Sequence, residues 1–556
     1  MRTLWAGARA YPRLHLTAGS TAILFNIIRT QSGEPYGEGF WANRFGFLDY
    51  TGARYIETQE KLLLAQLDEL SSVPVANHNV GGAIPKSVDK FLKTVPLTSI
   101  DDYARPLGAL RNSPRGRYYT WAYTMYGAGN EKWVPYTQRA IKTLGETAMG
   151  VLGMATEGAP DRVSIKPGDR AIYNVPPRPY LAGIAAVELS RRFGLTGVID
   201  PVVAEKMEFK DRIRLEYKEA LSQGVDIVVS MSSVLKKISE RFEDGVTSED
   251  GSSSGTSLKA GARYLAAAGK AKLSRRRLRP SDLWKPRTIV GWGLDTRHFR
   301  DEIARDWGRP PFEMYASTEA GCMGIQYGVD RGIALNPEVC FFEFLPEQEV
   351  EALRNDPNYT PRTALLPEVE PGQRYEVVIT SFYGMPFVRY RTGHMVDFTG
   401  GQLGYGPDLE YVGRADDRLD IGGFTRIDES TIWRAVSSAD IWIKDWVLRR
   451  EIRNGETMLG MYLECASDFT EPEIAGRIHS ALVDADPLYA DVERMLGWRP
   501  LEIHTLSAGT FDRYYDEMRK AGAELIARKP RRVNTPDTAL DRLLALSRDT
   551  GEQMAA

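Results

Sequence analysis

Apolar positions recur at helical spacing over residues 56–72, and the spacing predicts an amphipathic helix there. Farther on, short apolar runs alternate with helical stretches. Val225-Asp226-Ile227-Val228-Val229-Ser230 reads as a buried strand preceded by a helix over 212–223. Residues 287–293 read as another strand, with a helix after them over 296–307. This alternation predicts α/β layers around a largely parallel sheet. Residues 243–272 break the pattern. They are rich in Ser, Gly, Ala and charge, and their first half has no periodicity, so that part reads as a mobile loop or insertion. Over 375–427 the character changes again: Tyr375-Glu376-Val377-Val378-Ile379-Thr380 is a strand, and several Gly-punctuated strands follow. After about 416 the chain reads as a small α+β domain. The expected organisation is α/β, with a large N-terminal domain of layered sheets and helices over 1–415 and a small C-terminal domain over 416–556. No tandem repeat is visible.

At 556 residues the chain exceeds one compact domain, which agrees with that division. Its apolar (43%) and charged (26%) contents are those of a globular protein. A net charge of −3 argues against a nucleic-acid partner, which calls for a basic excess. Cys322, Cys340 and Cys465 have neither metal-type spacing nor the number for a disulfide framework, which predicts a reducing, cytoplasmic setting. The apolar run at 21–28 is short and lacks the flanks of a signal peptide. No stretch approaches the ~20 apolar residues of a spanning helix, so no membrane partner is expected.

Four segments carry candidate chemistry. The first is Tyr126-Gly127-Ala128-Gly129-Asn130-Glu131-Lys132. Glycines let backbone N–H groups approach phosphate oxygens, and the ammonium adds charge, although this is not a Walker A pattern and a plain turn before a helix would look similar. The second is Tyr315-Ala316-Ser317-Thr318-Glu319-Ala320-Gly321. It offers an aromatic ring for a base, hydroxyls for a phosphate and a carboxylate for Mg2+. The third, Arg389-Tyr390-Arg391-Thr392-Gly393-His394-Met395-Val396-Asp397, and the fourth, Gly413-Arg414-Ala415-Asp416-Asp417, place charge near the change of composition. A decoy, Ser252-Ser253-Ser254-Gly255-Thr256-Ser257, has the look of a phosphate loop but lies in the low-complexity stretch and reads as a linker. His78, His298 and His504 are scattered and form no zinc pattern, and there is no Gly-x-Ser-x-Gly elbow.

In this order the four segments resemble the core motifs of the adenylate-forming superfamily, which includes acyl-CoA ligases, peptide-synthetase adenylation domains and firefly luciferase. Gly413-Arg414-Ala415-Asp416-Asp417 is similar to the hinge motif of phenylacetate–CoA ligases. Asn336-Pro337, Phe341-Phe342-Glu343-Phe344-Leu345-Pro346, Gly372-Gln373-Arg374 with the strand after it, Arg389-Tyr390-Arg391, and the stretch from Gly509-Thr510-Phe511-Asp512 to Pro530-Arg531 resemble the plant acyl-acid amido synthetases that join hormones to amino acids. The resemblance covers about 55–533.

That resemblance implies ATP and Mg2+ as cofactors, and a mobile C-terminal domain. It implies that Lys132 with Gly127 and Gly129 holds the ATP phosphates. Tyr315 would stack near adenine, Ser317 and Thr318 would lie at the phosphate, Glu319 would bind Mg2+, and Arg414 would reach the ribose or phosphate. Asp416 or Asp417 would mark the hinge. Three departures stand out. The glycine loop lacks central hydroxyls. His394 replaces the usual ribose-binding acid, so Asp397 is an alternative ribose ligand. The C-terminal adenylation lysine falls at Arg528 by alignment or at its neighbour Lys529, and Lys529 is taken as the catalytic cation. The implied reaction is activation of a carboxylic acid as acyl-adenylate, then transfer to an amine. The rival acceptor is a thiol, CoA or a carrier-protein arm. A reading of another class is a nucleotide-sensing or scaffold protein on a degenerate ligase fold. Asn174-Val175-Pro176-Pro177-Arg178-Pro179-Tyr180 is the candidate acyl-pocket segment, with Arg178 facing either an anionic substrate group or a surface partner. The sequence gives no oligomeric state.

Overall fold

The computed structural model describes residues 38–71, 73, 84–111, 118–126, 130–157, 163–207, 209–243, 258–292, 295–329, 331–356, 358–415, 419–421, 425–453, 456–466, 469–486, 489, 499–520 and 529–555. The strands are β1 (Thr120–Tyr126), β2 (Asn130–Tyr136), β3 (Arg170–Asn174), β4 (Thr196–Gly197), β5 (Ile227–Ser230), β6 (Thr288–Gly291), β7 (Phe312–Ser317), β8 (Gly321–Gln326) and β9 (Ile333–Leu335). They continue with β10 (Cys340–Pro346), β11 (Arg374–Ser381), β12 (Tyr390–Leu403), β13 (Gly406–Arg414), β14 (Leu419–Ile421), β15 (Thr425–Ile427), β16 (Ile443–Arg453), β17 (Glu456–Cys465) and β18 (Leu501–Thr505).

Eleven strands form one sheet in the order β10-β11-β12-β13-β9-β8-β7-β6-β5-β3-β4. From β4 to β7 every pairing is parallel. From β7 to β10 every pairing is antiparallel. The expectation of a largely parallel sheet therefore holds for one half only. The physical reason lies in the connections. The parallel strands are joined through helices such as Leu181–Phe193 and Phe209–Gln223. By contrast, β7 to β8 and β12 to β13 turn back within a few residues, which only antiparallel neighbours permit. The apolar run Ile227-Val228-Val229, with Ile227 and Val228 buried and Val229 partly so, suits a central parallel strand covered on both faces. Gly194 ends the helix before β4 at φ +66, a left-handed cap that costs a glycine nothing.

The helix Gly52–Leu70 matches the first predicted helix and covers the sheet edge at β10. Gln59 does the docking: its amide donates to Pro337 O at 2.5 Å and Cys340 O at 2.8 Å, and accepts from Phe342 N at 2.9 Å. Covering an edge strand in this way blunts its open hydrogen-bonding groups. The predicted helix over 296–307 is two helices, Asp295–His298 and Arg300–Trp307, separated at Phe299, whose ring meets Trp433 edge-on at 5.8 Å. The first half of 243–272 falls largely outside the described residues, and the rest is the helix Leu258–Leu273.

Beyond Leu419 the chain builds a three-stranded sheet, β16-β17-β18. Alternation along β16 splits its side chains between two helical layers. Trp446 and Leu448 pack with the helices Glu429–Ser438 and Glu471–Ala485, while Val447 packs with Thr510–Lys520 and Asp537–Ala555. Arg374 on β11 reaches this part: it bonds Asp397 on β12 and also Asp428, the residue that caps the helix Glu429–Ser438. No helix among the described residues is long and apolar enough to cross a membrane.

Candidate active site

The site begins where the two halves of the sheet join. β7 ends at Ser317, residues 318–320 turn, and β8 returns from Gly321. Gly321 has φ +85, and a Cβ there would meet Leu144 Cδ1 at 3.3 Å, so the turn requires glycine. The C-terminal ends of parallel strands at such a junction form natural ligand crevices. Two hydroxyls fix the turn by its backbone. Tyr136 donates to Thr318 O at 2.7 Å, and Ser381 donates to Glu319 O at 2.7 Å. Burial pushes the Tyr136 phenol well above its ordinary pKa, which keeps it a donor.

Two paired antiparallel strands flank the glycine segment, β1 before it and β2 after it. β1 and β2 pair in register from Thr120↔Tyr136 to Tyr126↔Asn130. Gly127 and Gly129 lie outside the described residues. Lys132 stands in β2 opposite Thr124. Its buried ammonium forms an ion pair with Glu319 and donates to the Tyr390 hydroxyl at 2.6 Å. Three of the four sequence segments therefore converge on one ammonium. The fourth comes alongside through the sheet: Arg414 in β13 is the cross-strand partner of His394 in β12.

Tyr315 is buried, and its hydroxyl lies 3.1 Å from His394 Nδ1. Tyr315, His394 and Tyr411 form a cluster with ring centroids 5.4–5.8 Å apart. Ser317 is buried with its Oγ lacking a hydrogen-bond partner, an arrangement that costs stability unless a ligand completes it. Thr318 is half-buried in the turn. Asp397 is engaged elsewhere, because Arg374 bonds its two carboxylate oxygens at 2.7 and 3.0 Å. Burial works against the charge of Arg374, but Asp397 and Asp428 more than offset this and raise its pKa. Cys322, on β8 beside the turn, is pushed up to about 12 by burial and is no nucleophile.

Other predicted residues fall apart from this convergence. Lys529 is exposed in the C-terminal part; burial works to raise the pKa of Asp445 there, and the charges of Arg532 and then Lys529 bring it below its ordinary value. Arg528, Asp416, Asp417, His78 and the Ser252–Ser257 decoy lie outside the described residues. Arg178 is exposed and paired with Glu205, with 2.9 Å between Nη2 and Oε2. Its segment lies against the hairpin, since Tyr123 N donates to Pro179 O at 2.9 Å. His504 stacks on Tyr462 at 4.6 Å.

Sequence reasoning passed over Tyr390 and Ser381 as site residues. Part of the signal for Tyr390 was present: it opens β12, and strand alternation sends it to the face opposite Arg391. Ser381 acts through a backbone carbonyl and leaves no such mark.

Among known proteins, the GH3 family central domain matches residues 333–414. The indole-3-acetic acid-amido synthetase GH3.3 of Arabidopsis thaliana is 28% identical over 204 residues, 34% of this chain and 32% of that protein. The jasmonoyl–L-amino acid synthetase JAR4 of Nicotiana attenuata is 26% identical over 223 residues, 38% of this chain and 37% of that protein. These alignments thus span only about a third of the relatives' own length. Among solved structures, the acyl acid amido synthetase AtGH3.15 in complex with 2,4-DB superposes with a TM-score of 0.63 at 16% identity, over 92% of this chain and 97% of that one. A 2-hydroxyisobutyryl-CoA ligase superposes with a TM-score of 0.55 at 14% identity, over 88% and 92%. At such identities the likeness is one of fold. Residues 333–414 thus match the GH3 family central domain, and the chain that carries them shares the fold of the solved acyl acid amido synthetase and 2-hydroxyisobutyryl-CoA ligase.

Proposed function

We propose that this protein activates a carboxylic acid with ATP as an acyl-adenylate and passes the acyl group to an amine, forming an amide. The observation that carries the reading is the meeting of Lys132, Glu319 and Tyr390, from three separate segments, at the C-terminal end of β7. A carboxylate is unreactive toward amines near neutral pH. Converting it to a mixed anhydride with AMP supplies a good leaving group, and cations offset the charge that builds on the phosphate. Lys132, with Gly127 and Gly129, holds the phosphates in this reading.

Two features support nucleotide binding here. Ser317 Oγ is a buried hydroxyl awaiting a partner, and the Lys132–Glu319 pair is a buried charge pair, costly unless function retains it. Glu319 is the Mg2+ ligand in this reading; one carboxylate beside substrate phosphates suits that cation, which supplies charge neutralisation when bound. Tyr315 flanks the adenine and Thr318 contacts the phosphate. With both oxygens of Asp397 held by Arg374, ribose contact passes to His394 and its strand neighbour Arg414. Lys529, with Arg528 beside it, is the cation brought to the phosphate by the C-terminal part, moving about a hinge at Asp416 or Asp417 between the regions 1–415 and 416–556. The three cysteines, without disulfide spacing, fit a cytoplasmic enzyme.

The match to the GH3 family central domain and the similarity to amido synthetases favour the amine over a thiol as acceptor. The test is ATP–pyrophosphate exchange across aryl, fatty and amino acids, then product analysis with amino acids and with CoA. Exchange with at least one acid and amide formation are expected. Thioester as the product would replace the acceptor, and ATP binding without exchange for any acid would leave a nucleotide-binding protein.

A further inference from the structure

Tyr390 is built into the protein so that its hydroxyl has a fixed address. Its neighbours in sequence are locked in place. Arg389 bonds Glu343, Thr363 and the carbonyls of Leu92 and Val95, and Arg391 forks onto Glu376. The Tyr390 ring is 4% exposed and sits edge-on to Phe387 at 5.1 Å and Tyr103 at 5.9 Å, so packing sets its position independently of Lys132. The hydroxyl then accepts from Lys132 Nζ at 2.6 Å.

Glu319 and Tyr390, both acceptors for this ammonium, differ in kind. Glu319 is a charged carboxylate on a turn, and a bound cation competes for it. Tyr390 is a neutral oxygen with little to offer a hard cation. We infer that Tyr390 is the positioning residue of the adenylation lysine: it keeps the Lys132 ammonium aimed at the ATP phosphates when the Glu319 carboxylate is drawn to other charge. The inference rests on the reading of Lys132 as the phosphate cation.

The test measures Mg-ATP affinity by calorimetry, without any acid, for the wild type, Tyr390→Phe, Lys132→Ala, the double variant and Tyr103→Phe. Tyr390→Phe keeps the ring and loses only the hydroxyl. A hydrogen bond to a charged group is worth roughly 1.5–3 kcal/mol, so a loss in affinity of about tenfold or more is expected. In the Lys132→Ala background the same change is expected to cost nothing further, because Tyr390 acts only through that lysine. Tyr103→Phe removes another buried hydroxyl of the same aromatic cluster, one that bonds Val388 N, and is expected to bind as the wild type does. Wild-type affinity in Tyr390→Phe, multiplying losses in the double variant, or an equal loss in Tyr103→Phe would each overturn the inference and leave adenylation standing. A wild type that binds no ATP would remove both.

Discussion

Two buried cation–carboxylate pairs serve opposite purposes, one within the large sheet and its flank, the other between the hairpin strand β2 and the turn after β7. Arg389 and Glu343 are 5% and 0% exposed in their side chains, and the guanidinium meets both carboxylate oxygens at 2.6–3.1 Å. Its remaining donors go to Leu92 O, Val95 O and Thr363, and Thr363 in turn donates to Glu343 at 2.7 Å. Lys132 and Glu319 are almost as deeply buried, at 4% and 11%. Their setting differs. The cation is a point charge on a flexible stem, and the carboxylate stands on a three-residue turn. A planar fork saturated by backbone and side chain is a strut, whereas an ammonium shared between a carboxylate and a phenol can be re-partnered by a ligand. Burial alone does not separate structure from function; the kind of cation and of its acceptors does.

Breaking the strut should have the largest effect. Arg389→Ala strands Glu343 as an uncompensated buried charge and removes the side-chain bonds that hold the carbonyls of Leu92 and Val95. A loss of about 3–5 kcal/mol in unfolding free energy is expected, measured by denaturant titration. A loss below about 1 kcal/mol would show that the two pairs are equivalent in stability and that the contrast is misplaced.

Breaking the other pair should reverse the pattern. Lys132→Ala is expected to slow ATP–pyrophosphate exchange by more than roughly tenfold, with a smaller loss of stability than Arg389→Ala, because Glu319 sits nearer solvent on its turn. Unchanged exchange in the folded variant would make the Lys132 pair a second strut.

How much of this was written in the sequence depends on the range of the signal. Local periodicity gave the helix Gly52–Leu70, the helix Phe209–Gln223 and the strands β5, β6 and β11 to within a few residues. The split at Phe299 was not legible: the ring there packs on Trp433, more than a hundred residues away, and such a contact leaves no local spacing. The antiparallel half of the sheet was hidden for a similar reason: strand direction follows from which neighbours a short connection joins. At the site, motif order brought out Lys132 and Glu319, which do meet. Asp397 also had the chemistry of a ribose ligand, but Arg374, 23 residues earlier, holds both of its oxygens. Side-chain commitment of that kind is a property of packing and leaves no spacing to read.

A third buried carboxyl sharpens the comparison because it has neither a saturating fork nor a shared ammonium. Glu216, on the helix Phe209–Gln223, accepts from Tyr173 N at 2.9 Å through one oxygen, while the other has no hydrogen-bond partner beside a cavity of about 20 Å3. Burial raises its pKa from 4.5 to about 7, with the Tyr173 N–H and the Arg212 charge pulling only partly back. The folded state thus holds a proton that the unfolded chain gives up. The stability this contributes is complete below about pH 4.5 and is lost as pH rises through about 7. Glu216→Gln removes the titration while keeping the acceptor for Tyr173 N–H. The variant is therefore expected to match or trail the wild type near pH 5 and to exceed it at pH 8 by on the order of 1 kcal/mol, with a ceiling of about 3 kcal/mol from the full shift. Denaturant titrations of both proteins between pH 5 and 8 check this. Parallel stability curves would mean that Glu216 stays ionised in the folded protein, and that Arg212 does for it what Arg389 does for Glu343.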